Sequence, residues 1–328
     1  AGYYRADKAA VWMLLARLYL NAEVYTGTAQ WAKAAEYAHK VMTSDYRLNT
    51  TATGRWSAYQ KLFMGDNGET SAAYEGVFRI GQDGVKTTSW AGTCFLMGST
   101  FDGNMHADVS GTYPQATNGT GQTWGGNRAR KELVEKFFPN DDAPNISCTR
   151  MPAAANDDRA IFDGIGRTLD NGNGSMGSFT DGFAVAKWNN FKTDGSVGHN
   201  DNYPDTDFFL FRVAEAYLIY AEATARQNGG TTTADGTAAI NALRNRAHAM
   251  TKTGYSMNDI CDEWSREFYF EGLRRPTLIR FGRFGGDNNY NWSYKGGAKN
   301  GRNFAETKNV FAIPADQVRG ALTQNPGY

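Results

Sequence analysis

The sequence predicts a mainly α-helical protein, in which tetratricopeptide-like helical hairpins (an α–α superhelix) carry a large loop-rich irregular insertion containing short strands. Two observations support this prediction. Apolar residues recur with helical spacing at both ends of the 328-residue chain. Between them, Gly, Asn, Asp and Thr surround single aromatic residues, a composition typical of turns. We therefore expect a helical hairpin over residues 1–48, loops over 49–206 and further helices over 207–328.

The N-terminal region has the pattern of two amphipathic helices. Residues 6–25 place apolar side chains three and four positions apart, and we expect the face that they form to be buried. This face comprises Val11, Leu14, Leu15, Leu18 and Ala22. The pattern resumes after Gly27 with Trp31, Ala34, Ala35, Ala38, Val41 and Met42. Small alanine side chains on the second helix allow two antiparallel helices to approach closely.

Later helices are predicted in the same way. A short helix over 129–138 is expected to end before Pro139, because the residue before a proline avoids helical geometry. A longer helix is expected to begin at Asp207 and to end near Gly229. Two more are predicted over 234–250 and 257–272.

Charge and cysteine content exclude several classes of protein. Lys+Arg and Asp+Glu both number 34, so the chain lacks the basic excess of a nucleic-acid binder or of a protein held on anionic lipid. Cys94, Cys148 and Cys261 lie far apart in the sequence, which predicts neither a zinc site nor a disulfide framework.

Metal and catalytic motifs are largely missing from the sequence. The four histidines form no HExxH pair, and there is no nucleophile elbow or phosphate-binding loop. Residues 170–175 resemble a calcium loop, but Gly172 and Ser175 occupy positions where an EF-hand needs a ligand and a glycine. A looser Ca²⁺ site remains open, and no other cofactor is expected.

Glu267 and Glu271 are the one candidate catalytic pair. They lie four residues apart on a predicted helix, so their carboxylates share a face and resemble the acid/base pair of a glycosidase. Arginines crowd the same segment, however, and nearby cations lower carboxylate pKa values, which favours an ion-pair network. The structural interpretation is therefore preferred to the catalytic one.

The aromatic loops suggest a different function. Flat Trp and Tyr rings offer a large contact area at low entropic cost, and amide side chains hydrogen-bond to hydroxyl groups. This combination suits a neutral carbohydrate. With 44 aromatic residues in the chain (8 Trp, 17 Tyr and 19 Phe), most of them must nevertheless belong to the core.

Several segments together resemble the signature of the SusD/RagB family. They are residues 10–22, 212–223, 240–247, 263–275 with 278–282, and 324–328. Their order and their spread along the chain identify it as a member of that family. Pro276 and Thr277 depart from the usual pattern, in which an Asp precedes Leu-Ile-Arg, and this puts one local contact in doubt.

The resemblance implies a non-catalytic lipoprotein on the surface of a Gram-negative outer membrane. Such proteins bind glycans and act as a lid on a SusC-like TonB-dependent transporter. The resemblance also implies that residues 1–328 form a single SusD-like domain without the family's N-terminal part, in which the lipid-bearing cysteine is expected.

Residues 62–69, 82–86 and 89–90 look most like the starch-binding members, so starch or another α-glucan is the leading ligand. Loop position and residue type single out Tyr74 and Trp90 as stacking surfaces, with Asn104 and Trp124 as lesser candidates. Two alternatives stay open: another cargo, either a different polysaccharide or a peptide, and a glycoside hydrolase that uses Glu267 and Glu271.

Overall fold

The structure is a computed structural model and describes residues 4–105, 118–140, 143–170 and 176–328. Its α-helices are α1 (Lys8–Leu20), α2 (Ala22–Thr26), α3 (Trp31–Met42), α4 (Gly92–Thr100), α5 (Lys131–Val134), α6 (Met151–Ala155), α7 (Val213–Gln227), α8 (Ala234–Arg246), α9 (Met257–Phe268) and α10 (Arg274–Arg280). Its strands are β1 (Gly76–Ile80), β2 (Phe162–Asp163), β3 (Ala184–Val185) and β4 (Phe208–Arg212). Long loops and short 3₁₀ turns connect these elements.

The helices of both chain ends form one layer. Helix α3 packs against both α1 and α7, and α8 and α9 pack against α7. Ala34, Ala35 and Ala38 line the buried side of α3, where their small side chains allow close helix approach. The predicted fold class is confirmed: paired helices carry an irregular region that contains only short strands in its described part.

Helix α1 buries a different face from the predicted one. Ala9, Met13 and Ala16 face the layer, whereas Val11 and Leu14 are exposed. Leu18 is also exposed, so the expectation of a buried Val11–Leu14–Leu18 face is wrong. The physical reason is that α1 is apolar on two sides, and the side with smaller residues fits closely against α3 and α7.

The segment before α7 is a strand and not the start of a helix. Strand β4 pairs antiparallel with β1, with Ile80 opposite Phe208 and Gly76 opposite Arg212. The predicted helix start at Asp207 is therefore corrected to Val213. The three phenylalanines of β4 fit the preference of aromatic residues for a pleated surface.

Other helices are shorter than predicted. The helix expected over 129–138 is a single turn, α5, and the one expected over 257–272 ends at Phe268. Tyr269 adopts a non-helical conformation and Phe270 has a φ of 57°, which ends the helix. The helix expected to reach residue 250 ends at Arg246. Helix α4 lies inside the predicted loop region.

The loop-rich region has cores of its own. Trp56, Phe101 and Trp188 are buried, and the ring of Trp188 stacks on Phe208 at a centroid distance of 5.5 Å. These aromatic residues fill the interior and cannot contact a ligand on the surface. Tyr113, another aromatic residue of this region, lies outside the described residues.

All three cysteines are buried, and no disulfide joins any two of them. Within the described ranges, no helix has both the length and the apolar character needed to cross a membrane.

Candidate aromatic binding site

Three exposed aromatic rings and one half-buried ring gather beside helix α4. We call Trp90, Phe95, Trp124 and Tyr203 the aromatic platform. The ring of Trp90 lies 4.9 Å from that of Tyr203 and 6.0 Å from that of Trp124, centroid to centroid. Trp90 is 52% exposed and Trp124 40% exposed. Exposed apolar groups that cluster in this way mark a binding surface more often than scattered ones do.

Helix α4 positions Trp124. The Trp124 amide donates to the carbonyl oxygen of Gly98 at 2.8 Å. The indole lies so close to Gly98 that a Cβ added there would be 2.8 Å from two ring atoms. The missing side chain of Gly98 therefore allows the indole to pack directly against α4. The ring of Phe95, also on α4, lies at a centroid distance of 6.4 Å from that of Trp124.

Amide side chains border the platform. The indole Nε1 of Trp124 donates to Gln122 Oε1 at 2.7 Å, and Gln122 Nε2 donates to Asn202 Oδ1 at 2.7 Å. This chain fixes the indole and ties the loop of Trp124 to the loop of Tyr203. Amides beside exposed rings can hydrogen-bond to hydroxyl groups of a ligand that stacks on those rings.

Buried polar contacts hold the platform loops in place. The buried side chain of Asn118 donates to the carbonyl oxygens of Gln122 and Met97. The loop before Trp90 lies against Tyr203, because a Cβ at Gly84 would be 2.6 Å from the Tyr203 carbonyl oxygen. A surface that is ordered before binding loses little entropy when a ligand arrives.

Of the four residues singled out in the sequence, Trp90 and Trp124 share the platform. Tyr74 ends a 3₁₀ turn (Ser71–Tyr74), and the guanidinium of Arg47 covers one face of its ring at 3.9 Å. In the described part of the chain, none of its ring contacts is to the platform. Asn104 is exposed on the loop after α4, and its backbone N–H donates to Asp102 Oδ1.

Tyr203 and Phe95 are members of the platform that the sequence did not reveal. Tyr203 is a single aromatic residue in the turn-rich run 200–204, so its setting resembles that of Trp90. Phe95 lies on α4, which was not predicted as a helix. Tyr203 meets Trp90 across more than 100 positions of sequence, and Phe95 meets Trp124 across more than 25, so sequence spacing carries no signal for either contact.

The carboxylates of Glu267 and Glu271 are engaged in buried ion pairs. Glu267 Oε1 accepts from Arg212 at 2.6 Å and also from Arg246, and its Oε2 accepts from Arg159 at 3.1 Å. Glu271 accepts from Arg212 at 2.7 Å and 2.9 Å. The side chain of Glu267 has no exposed surface. The two carboxylates therefore do not form a free acid/base pair that could act on a substrate.

Electrostatics explain why a proton-donating role is excluded for Glu267. Burial alone raises its pKa, but the guanidiniums of Arg246, Arg212 and Arg159 outweigh burial and lower the pKa far below its usual range. A general acid would need a raised pKa instead. The ion-pair interpretation of the sequence is thus supported by the geometry.

The calcium-like run lies mostly beyond the described residues, which include Asp170 but not 171–175. Asp170 Oδ1 is 3.0 Å from the ammonium of Lys299. Among the residues that the structure describes, no group of three or more His, Cys, Asp or Glu side chains is placed to hold a metal ion.

A helical-repeat scaffold with an ordered, aromatic and amide-lined loop surface defines a class of binding proteins. The sequence model of the SusD family matches residues 163–328, half of the chain. The chain belongs to the SusD family.

Individual relatives agree with this assignment. The chain is 40% identical over 363 aligned residues to the starch-binding protein SusD of Bacteroides thetaiotaomicron, an alignment that covers 100% of this chain and 61% of the relative. Surface glycan-binding protein A from Bacteroides uniformis superposes with a TM-score of 0.62 at 18% identity, over 98% of this chain and 62% of that one. The same-named protein of B. thetaiotaomicron, in complex with laminarihexaose, gives 0.59 at 19% identity, over 99% and 65%.

These matches bear on length and on catalysis. The chain spans 61% of the length of the curated relative. The relative at 40% identity is named as a starch-binding protein. This name and the engagement of Glu267 and Glu271 in ion pairs agree with the prediction that the chain is not an enzyme.

Proposed function

We propose that the protein captures glycans on its aromatic platform without cleaving them. The observation that carries this proposal is the cluster of Trp90, Trp124 and Tyr203, whose rings are close together, mutually tilted and bordered by amides. Trp90 makes an angle of 49° with Trp124 and 57° with Tyr203. Rings with such tilts contact successive sugars of a curved chain better than those of a flat one.

An α-glucan such as starch is the proposed ligand. The relative at 40% identity is named as starch-binding, and the curved arrangement of rings suits a helical glucan. A different polysaccharide is the second candidate, because one structural neighbour was solved with laminarihexaose. Tyr74 and Asn104 remain proposed contacts only for a glycan long enough to extend beyond the platform.

The proposed setting is the surface of the outer membrane, where a lipid anchor would hold the protein. There the protein would deliver glycans to a SusC-like TonB-dependent transporter. Family membership supports both proposals. A chain with equal numbers of acidic and basic residues is also suited to a neutral ligand.

Affinity electrophoresis in gels that contain starch, laminarin or no polysaccharide tests this function, with released reducing ends assayed in parallel. We expect starch to retard the protein and no reducing ends to appear. Retardation by laminarin but not by starch would mean that the ligand is a glucan other than starch. Release of reducing ends would contradict the non-catalytic proposal, and an absence of retardation by every glycan would contradict glycan capture.

A further inference from the structure

A cavity lies between helices α9 and α10 and the C-terminal segment, residues 283–328. We call it the tail pocket. It has a volume of about 390 Å³ and its apolar walls include Leu133, Trp264, Phe268, Leu278, Phe284 and Trp292. No member of the aromatic platform lines it. Its volume falls within the range of roughly 300–1,000 Å³ that is common for small-molecule sites.

The walls can hold an apolar group. Trp264, Phe268 and Leu278 are buried and form the side that belongs to α9 and α10. On the opposite side, Phe284 and Trp292 belong to the C-terminal segment, and their rings are 6.0 Å apart. An apolar chain enclosed between these two sides would lose its contact with water, which is favourable.

The charged residues that line the pocket are mostly cationic. They comprise the four basic residues Arg130, Lys136, Arg274 and Arg275 and the one acidic residue Glu132, a difference of three positive charges. The whole chain, in contrast, has 34 charges of each sign. The pocket is therefore a local concentration of positive charge.

Three of these cations have no carboxylate partner among the described residues. Arg130 donates to the carbonyl oxygen of Ser293, and Arg275 donates to those of Lys308 and Asn309. The guanidinium of Arg274 donates to the Cys261 carbonyl and to the hydroxyl of Tyr290.

The other two charged residues are already engaged. Lys136 is paired with Asp262 at 2.6 Å. Glu132 accepts from the amide and hydroxyl of Ser293 through Oε1, and its buried Oε2 has no hydrogen-bond partner among the described residues. The three guanidiniums less the one carboxylate of Glu132 leave two positive charges in the pocket. Guanidiniums prefer a planar anion such as a carboxylate.

We propose that the tail pocket binds a small anionic amphiphile of fatty-acid type. Its apolar chain lies between α9 and the C-terminal segment, and its carboxylate accepts hydrogen bonds from the pocket guanidiniums. A neutral sugar would find few free polar partners on these walls, and a cation would be repelled. This proposal does not depend on the function of the aromatic platform.

Calorimetric titration of the 328-residue protein with decanoate, decanol and decyltrimethylammonium tests the proposal. The three probes share a chain and differ in charge. We expect decanoate to bind about tenfold or more tightly than decanol, because charge-assisted hydrogen bonds are lost with the carboxylate, and the cation not to bind. Equal binding of decanoate and decanol, or no binding of decanoate up to its solubility limit, would overturn the proposal.

Two variants locate the site. Arg130→Gln is expected to weaken decanoate binding about tenfold and to leave decanol binding unchanged. Leu133→Trp fills the cavity and should abolish binding of both. Arg319→Gln, which changes an exposed arginine away from the pocket, is the matched control. Decanoate binding that survives Leu133→Trp in folded protein would place the ligand elsewhere and contradict the inference.

Discussion

Single residues decide whether the aromatic platform exists. The tryptophans at 90 and 124 contact each other and the solvent, whereas Trp56 is only 2% exposed. The residue type is the same, and the surroundings assign one side chain to a ligand surface and another to the core. Gly98 also matters to the platform, because its missing side chain makes room for the indole of Trp124.

Replacing Gly98 should therefore weaken glycan binding by displacing Trp124, although Gly98 itself does not contact the ligand. A Cβ at this position would lie 2.8 Å from the indole of Trp124, so Gly98→Val must displace the ring. We expect glycan affinity to fall about tenfold, which corresponds to ~1.4 kcal/mol. Calorimetry with a malto-oligosaccharide measures the loss. Gly103→Ala is the control, because a Cβ there meets nothing within 4 Å; equal affinity in both variants would show that Trp124 does not contact the glycan.

Glu267 is the residue-scale test of the ion-pair network. Glu267→Gln leaves Arg246, Arg212 and Arg159 without a shared buried carboxylate. Breaking a buried pair costs about 3–5 kcal/mol, so urea denaturation should show a loss of that order while folded protein keeps its glycan affinity. Glu36→Gln, which removes an exposed pair with Lys40, should change stability by less than about 1 kcal/mol. A stable Glu267→Gln variant that no longer binds glycan would favour a direct role of Glu267 in the site.

At the scale of elements, the two N-terminal helices show what apolar spacing can and cannot predict. Helix α3 has one apolar face, and its buried alanines were predicted correctly. Helix α1 is apolar on two sides, so periodicity alone could not tell which side faces α3 and α7. Strand β4 was missed because its partner β1 lies more than 120 residues earlier in the chain.

The packing of α1 predicts opposite outcomes for neighbouring residues. Met13→Ala removes a fully buried side chain and should destabilise the protein by about 2–5 kcal/mol. Leu14→Gln changes an exposed residue and should alter stability by no more than about 0.5 kcal/mol. Chemical denaturation of the two variants compares them directly. A larger loss of stability for Leu14→Gln than for Met13→Ala would show that α1 buries the face predicted from the sequence.

The candidate site was predictable only in part, and the reason again lies in contacts between elements. Residue type and loop position selected Trp90 and Trp124, which the structure places together. The same criteria selected Tyr74, whose ring is covered on one side by Arg47. Tyr203 was overlooked because its loop reaches the platform through Gln122 and Asn202, a contact across 80 residues.

At the scale of the whole molecule, buried ion pairs join the helical layer to the loop-rich region. Arg212 at the end of β4 binds Glu75 from the loops at 3.0 Å and Glu267 from α9. Arg159, also from the loop-rich region, binds Glu263 of α9 at 2.7 Å. Because these charges are buried, the two regions are coupled, and their unfolding should be cooperative.

This coupling predicts a loss of stability in acid. Burial raises the pKa of Glu263, but Arg159, Arg266 and Arg244 outweigh it and lower the pKa to about 2. A carboxyl with a lower pKa in the folded state stabilises that state above the unfolded value of 4.5, and the contribution is lost as the pH falls from 4.5 towards 2.

Thermal melts between pH 7 and about pH 3 measure this effect. We expect a melting temperature that changes little above about pH 5 and falls steeply below it, with near- and far-ultraviolet circular dichroism changing together. A constant melting temperature down to about pH 3, or separate transitions for the two signals, would contradict the coupling through buried ion pairs.

Glycan binding at the aromatic platform is tested most directly by calorimetric titration of the wild-type protein and Trp90→Ala with maltoheptaose, together with a thermal melt of each. We expect the variant to lose about tenfold or more in affinity, because the truncated ring is central to the platform, while its melting temperature stays nearly constant. Unchanged affinity in a folded variant would contradict glycan binding at the aromatic platform. A collapse of the melting temperature would contradict the assignment of Trp90 to the ligand surface.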